Sequence, residues 1–283
     1  MKDDTLKRVQ IEAKDILIEF DRICKKNNLK YQMFAGSLLG TVRHKGFIPW
    51  DDDIDVCMLR EDFEIFKAKC QDDLKDNYFF QSYETDPEFN RQFIKLRKNG
   101  TIFLEDNFKD SKIHHGIFID IFALDNVRPN SILGLIQQKI LYIMGRLQLL
   151  RVKRFSEKQD NKVKRSVFVF AHYILKAIPK KWTDKLDTKV ARMFNSENEK
   201  YVSHLQNGVS KKRYNKFLRR KDEFNLTELA EFEGIMVPIP KNYKEVLENI
   251  YGNYMDLPNI EDRKPHHGVI KIEFNNKDRK EII

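Results

Sequence analysis

Between Asp51 and Asp55 four of five residues are aspartate, and a further aspartate, Asp120, stands inside the apolar run GIFIDIFAL. Read as an extended segment, DIDVCM turns Asp53, Asp55 and Cys57 to one side and Ile54, Val56 and Met58 to the other. Two like charges on one face repel, and a low-dielectric cleft would protonate one of them unless a cation lay between. A hard ion answers that need: Mg2+ takes carboxylate oxygens, keeps several waters and bridges to phosphates. GIFIDIFAL offers a third ligand, because Ile117, Ile119 and Ile121 form one face while Asp120 projects from the other between Phe118 and Phe122. Taken singly, the acid run is also what a solvated turn looks like, and Asp120 what a satisfied edge-strand residue looks like. The combination is what points to a site.

Upstream, Gly36 allows close backbone approach, and the Ser37 hydroxyl with neighbouring N–H groups at a helix start can hold a phosphate. The alternative for Ser37 is an ordinary helix cap. Arg43, His44 and Lys45 lie on the loop before the acids. Lys95 and Arg97 share a face of FIKLRK by two-residue spacing; these are candidate phosphate clamps, or solvent-facing charges. Trp50 abuts the acids, where core packing competes with stacking on a base or caging a quaternary ammonium group. His114 and His115 read as loop residues ahead of the Asp120 strand.

These residues need elements to carry them. Leu6, Val9, Ala13, Ile16, Leu17, Phe20 and Ile23 recur at three- and four-residue steps, which predicts an N-terminal helix ending near Asn27-Asn28. YQMFA reads as a short strand entering a Gly36-Ser37 turn and a brief helix. DIDVCM is a strand, REDFEIFKAKC a helix, and YFFQSY, FIKLRK, TIFLE and GIFIDIFAL further strands. Residues 1–128 thus read as a mixed α/β catalytic core. From Ser131 to about Asn195 helical patterns take over, with Lys and Arg outnumbering Asp and Glu roughly three to one. We therefore divide the chain into the core, a basic helical insert over 129–196, and a C-terminal segment over 197–283. That segment holds the extended run FEGIMVPIP, a helix around Tyr243–Ile250 and a loop-like tail that completes the site.

The formal net charge of +9 favours polyanionic partners without naming one. Cys24, Cys57 and Cys70 lack C-x-x-C spacing, so neither a disulfide framework nor a zinc knuckle is expected and a reducing compartment fits. The charged N-terminus lacks a signal-peptide centre, and the most apolar stretches are too short or too interrupted to span a bilayer. The helices over Ile132–Arg192 either lie against anionic lipid, with Leu, Ile and Phe faces inward and Lys and Arg outward, or form an ordinary helical subdomain.

GSLLGTVRHKGFIPWDDDIDV strongly resembles the signature of the LicD family of phosphocholine transferases, which includes the fukutin-related proteins. KLRKNGTIFLE, IFIDIFALD and the tail YGNYMDLPNIEDRKPHHG continue the resemblance. It covers roughly residues 10–128 and 230–270. The resemblance implies a nucleotidyltransferase-like fold: a mixed β-sheet core flanked by helices, α/β (α+β) in class. By position it makes Asp53, Asp55 and Asp120 the metal ligands and Asp51 an outer ligand, and it brings His266 and His267 forward as contacts to donor or acceptor. The zinc-binding insertion of some animal relatives has no counterpart among these cysteines.

The expected activity is Mg2+-dependent transfer, with one or two ions and Mn2+ as substitute, of a phospho-alcohol to a hydroxyl of a glycan such as teichoic acid or lipopolysaccharide. The donor is CDP-activated, CDP-choline first, and the glycan acceptor is in some settings lipid-linked. Asp120 would accept the acceptor's proton. The setting expected is cytoplasmic, with peripheral contact at the inner face of an anionic membrane. Two rivals stand beside it. A true nucleotidyltransferase would attack the α-phosphorus of an NTP and release pyrophosphate. A non-catalytic basic module binding nucleic acid or membrane would leave the acids unexplained, and nucleic acid is disfavoured because clustered aspartates repel phosphate.

Overall fold

The computed structural model describes residues 3–152, 162–196, 198–205 and 209–275. The chain runs α1 (Asp3–Lys26), β1 (Gln32–Met33), α2 (Ala35–His44), β2 (Asp55–Leu59), α3 (Arg60–Asp73), β3 (Tyr78–Gln81), β4 (Ile94–Lys98), β5 (Ile102–Glu105) and β6 (Phe118–Val127). Then come α4 (Ile132–Val152), α5 (Lys162–Ala177), α6 (Lys180–Ala191), β7 (Tyr201–Ser203), α7 (Lys211–Lys216), β8 (Arg219–Arg220) and α8 (Lys221–Phe224). The last elements are β9 (Thr227–Phe232), β10 (Ile235–Pro240), α9 (Tyr243–Tyr251) and β11 (Val269–Glu273). The class is the mixed α/β one expected.

Two compact units emerge. The first gathers Met1–Glu88, Phe93–Ala123 and Asp222–Ile283; the second Phe89–Gln92 and Leu124–Lys221. In the first, strands lie in the order β1-β2-β6-β4-β3, with the β1–β2, β3–β4 and β4–β6 pairs antiparallel. α1 packs beside α3, and its predicted apolar positions are buried, Ile16, Leu17, Phe20 and Ile23 completely. Asp3 and Asp4 in its first turn and Lys25 and Lys26 in its last complement the helix dipole. The helix ends where expected: Asn27 Nδ2 donates to Ile23 O, and Asn28 takes a left-handed φ of 54°.

Three readings need correction here. The helix carrying Gly36 and Ser37 already begins at Ala35, with Phe34 as its N-cap, so Ser37 lies within the first turn and is not the cap. FEGIMVPIP is not one extended run. Its Glu233-Gly234 pair is a two-residue turn with both φ positive, 49° and 79°, which folds β9 antiparallel onto β10. The C-terminal tail is not a loop throughout, since β11 pairs antiparallel with β5. The hydrogen bonds that make it a strand come from a segment more than 160 residues earlier, as Val269 opposite Glu105 shows.

The second unit has its own core of Val127, Leu141, Ala191, Leu205, Val209 and Tyr214. Gln92 is tied into it by its amide donating to Asp184 Oδ1 at 3.0 Å. Here a fourth reading fails. The apolar stripes of α4, α5 and α6 do not face inward: Ile132, Ile136, Ile143, Phe170, Trp182 and Leu186 are all exposed. Their buried positions mix Leu141 and Ala191 with the polar Gln137, His172, Asp184 and Asp187. Among the described residues no helix is long and apolar enough to cross a membrane.

Candidate active site

One backbone hydrogen bond assembles the acids. Asp120 N donates to Ile54 O at 2.8 Å, which brings β6 alongside the segment entering β2 and sets Asp120 beside the residues flanking Ile54. One carboxylate oxygen from each of Asp53, Asp55 and Asp120 lies within 4.8 Å of the others. Asp55 is pinned on both sides: its N–H donates to Ser37 Oγ at 2.8 Å, and its carbonyl accepts from Phe34 N at 2.9 Å. Burial, then the charges of Asp51 and Asp120, push Asp53 up to about 8 against the opposing pull of His267. Asp55 is driven well above the carboxylate range by burial and by Asp53 and Asp120.

Opposite Asp120 in the β4–β6 register stands Lys95, its Nζ 2.7 Å from Asp120 Oδ1 and 3.1 Å from the centre of the Phe118 ring. Burial holds Lys95 below its ordinary value despite Asp120. Arg97 donates from Nε to Gln81 Oε1 at 2.5 Å and from Nη1 to Gly116 O at 2.6 Å, and burial lowers it to about 10. Lys95 and Arg97 are 2% and 1% exposed, so the solvent-facing alternative is removed for both.

The C-terminal segment reaches the acids as well. His266 Nδ1 donates to Asp51 Oδ1 at 3.3 Å and His267 Nδ1 to Asp52 Oδ1 at 3.0 Å, with His267 Nε2 3.9 Å from Asp53 Oδ2. Burial opposes protonation of His267, but the Asp52 hydrogen bond and the Asp53 charge prevail and raise it to about 9. The His267 ring sits edge-on against both Phe103 and Phe118, which also touch each other. Asp51 is held from two further sides. Gln10 Nε2 donates to its carbonyl at 2.9 Å, and Gly36 leaves its carboxylate room, since a Cβ there would stand 3.0 Å from Asp51 Oδ2.

Comparison with known proteins decides the family. The family model described as LicD/FKTN/FKRP, nucleotidyltransferase domain, matches residues 28–130. The lipopolysaccharide cholinephosphotransferase LicD of Haemophilus influenzae is 31% identical over 279 residues, covering 94% of this chain and 97% of that protein. The chain belongs to the LicD family. Two uncharacterized proteins, from Rickettsia prowazekii and Rickettsia typhi, are 38% and 40% identical over 68 residues, each covering 22% of this chain and 26% and 22% of theirs.

The stretch matched by the LicD-family model holds Gly36, Ser37, all five acids, Lys95 and Arg97, whereas His266 and His267 lie beyond it. Other sequence candidates in this LicD-family chain are engaged elsewhere. Arg43 and His44 lie in the last turn of α2 and not on a loop, because the helix runs on to its left-handed cap at Lys45. Arg43 Nη1 donates to the Tyr254 and Asp256 carbonyls at 2.8 and 3.1 Å, and its Nε to His44 Nε2 at 2.9 Å. Burial lowers both Arg43 and His44. Trp50 is half-buried and outside the core, with the Arg263 guanidinium 5.6 Å over its ring. His114 stacks on Phe79, and His115 Nε2 lies 3.1 Å from Ser111 O.

Sequence reasoning gave little weight to Asp52, which proves buried and bonded to His267. It missed Gln10 and Glu233. Glu233 Oε1 accepts from Phe47 N at 3.1 Å and so braces the loop leading to the acids. No local signal marks these partners, because the pairs lie 41, 186 and 215 residues apart.

The donor set suits a hard divalent cation. The carboxylates outnumber the cationic side chains touching them, Lys95, His266 and His267, and burial first, then their mutual charge, raises Asp53 and Asp55. Asp52 Oδ2 is buried without a hydrogen-bond partner, and Asp52 forms a second potential ligand group with Asp53 and His267.

Proposed function

We propose that this protein transfers a phospho-alcohol, phosphocholine before others, from a CDP-activated donor to a hydroxyl of a cell-surface glycan. The support from kinship is the Haemophilus influenzae relative, whose name is lipopolysaccharide cholinephosphotransferase and which aligns over nearly all of both chains. Lipopolysaccharide is therefore the first acceptor to try and teichoic acid the second. The observation that carries the reading is the convergence of Asp53, Asp55 and Asp120 within 4.8 Å.

In this proposal those three carboxylates hold Mg2+, as one or two ions with Mn2+ as substitute, and Asp51 lies outside them. Bound there, the ion would offset charge on the donor pyrophosphate and on the departing CMP. The acceptor oxygen bonds to the phosphorus of the transferred group as the bond from that phosphorus to the CMP oxygen breaks, and the hydroxyl proton passes to Asp120. Lys95 orients the Asp120 carboxylate through Oδ1. Ser37, which accepts from Asp55 N–H, positions Asp55 and keeps its own proton for a donor phosphate. His266 and His267 hold Asp51 and Asp52, so the C-terminal segment completes the site. A cytoplasmic setting at the inner face of the membrane belongs to the same proposal.

Purified protein incubated with Mg2+, lipopolysaccharide and a panel of CDP-alcohols should release CMP, read by mass spectrometry, fastest from CDP-choline. Pyrophosphate release from an NTP, with no CMP from any CDP-alcohol, would overturn the reading in favour of a nucleotidyltransferase.

A further inference from the structure

Helices α4, α5 and α6 of the second unit each turn large apolar side chains to solvent while burying polar ones. Along α4, Ile132, Ile136, Ile140, Ile143 and Leu147 follow at steps of four, four, three and four, which is one stripe of a helix, and all five are exposed, Ile132 at 78%. The side that meets protein carries Leu141, part of the unit's core, and Gln137, whose amide donates to the Val190 and Ala191 carbonyls at 3.0 and 3.1 Å. α5 repeats the pattern. Val167, Phe170 and Ile174 are exposed, while His172 is buried with Nδ1 2.9 Å from Leu150 O. In α6, Trp182 is 70% exposed and Leu186, one turn on, is exposed too; Asp184 and Asp187 are each 1% exposed.

The charges sort in the same sense. The three helices contain eleven Lys and Arg and two Asp or Glu. Both acids are the buried ones, Asp184 paired with Lys180 at 2.5 Å and Asp187 accepting from Gln148 Nε2 at 3.2 Å. Among the described residues of α4, α5 and α6 the outward side is therefore apolar and basic with no acid on it. Lys139 and Arg146, seven residues apart, border the α4 stripe, and Lys185 and Lys189 border that of α6.

From this we infer that α4, α5 and α6 form a surface that docks onto an anionic lipid bilayer, the Ile, Phe and Trp side chains entering the acyl boundary and the Lys and Arg meeting lipid phosphates. A helix lying in the interface needs this division between an apolar face and a cationic border, and none of these helices can cross the bilayer instead. Trp182 suits the headgroup level. A second copy of the chain is a poorer occupant. A two-fold contact would bring the basic borders of the two copies onto one shared patch, with no outward acid on these helices to pair them. The inference rests on and deepens the membrane setting of the proposed function, but its test is separate from the reaction because it concerns only residues of the second unit.

Flotation of the full chain with vesicles of phosphatidylcholine, alone or mixed with phosphatidylglycerol, tests it. The protein should float with the mixed vesicles, much less with phosphatidylcholine alone, and less as salt rises. Lys139→Glu with Arg146→Glu should weaken binding at least tenfold, at roughly fivefold per basic charge lost. Ile136→Ser with Ile140→Ser should weaken it at an undiminished melting temperature, since both side chains are exposed. Vesicles should shift Trp fluorescence to the blue, and Trp182→Phe should abolish the shift. Failure of the folded protein to float with anionic vesicles at low salt would overturn the inference. So would a dimer in light scattering that Ile140→Ser dissociates, which would assign the surface to a second copy, or binding to mixed vesicles that neither double variant alters.

Discussion

Asp53 and Asp55 stand on either side of Ile54, and Ile54 O is the atom that Asp120 N finds. Replacing either flanking aspartate by asparagine keeps volume and removes one charged oxygen donor. We expect Asp53→Asn and Asp55→Asn to lose CMP release entirely while far-UV circular dichroism stays that of the parent. Asp120→Asn should be similarly inactive with some donor binding retained. Turnover near the parental rate in either of the first two would remove the metal assignment. His114 sets a different residue-scale expectation. Its Nδ1 accepts from Gly116 N at 3.0 Å, its Nε2 meets Asn99 Oδ1 at 2.9 Å, and burial followed by the Arg97 charge lowers it to about 4. The unfolded chain takes up this proton near 6.5. Between those values the unfolded state binds more protons, so His114 contributes stability that is whole above pH 6.5 and lost as pH falls toward 4. Urea midpoints measured from pH 7.5 downward should decline in that window, and His114→Asn, whose Oδ1 can still accept from Gly116, should flatten the decline.

At the scale of elements the site depends on how close α2 comes to the loop after it. A Cβ on Gly40 would stand 2.5 Å from Gly46 O and 3.1 Å from Ile48 N, both backbone atoms that no rotamer change can move. Gly40→Ala must separate α2 from residues 46–48, and Asp51 N bonds to Ile48 O at 2.8 Å, so the shift reaches the acids. Overpacking of this kind costs about 1–3 kcal/mol, and we place Gly40→Ala at the upper end because the obstacle is backbone. The variant should unfold at lower urea and lose activity beyond its loss of stability, measured as kcat on the folded fraction. The N-terminal helix, the α3 helix and the six strands around the acids were all legible as patterns, because each carries apolar residues at helical or strand spacing between turn signals. The tail strand β11 and the Glu233-Gly234 turn were not: one takes its hydrogen bonds from a remote partner, and the other rests on two positive φ angles that no apolar period records.

For the whole molecule, net charge of +9 and a basic middle segment pointed to polyanions, and the structure shows where that charge sits with apolar surface rather than opposite it. The acids in the first unit are the counterpart, a locally negative centre in a basic protein. A cation bound there and absent from the unfolded chain should stabilise the fold by mass action, about 2.7 kcal/mol at a hundredfold excess over its Kd. Mg2+ should therefore raise the melting temperature of EDTA-treated protein by several degrees, and Asp53→Asn should cancel the rise. An equal rise in that variant would place the ion elsewhere.

Residue types and short spacings by themselves determined the helical and strand periods, the paired aspartates, the isolated acid in GIFIDIFAL and the family signature, since each is a local property of ten or twenty residues. Only tertiary structure decided that Lys95 faces Asp120, that His266 and His267 return to Asp51 and Asp52, and that α4, α5 and α6 leave broad apolar stripes exposed. Those outcomes depend on cross-strand register and on which side of a helix meets protein. Amphipathic periodicity specifies that a helix has two faces; the partner it packs against specifies which one is buried.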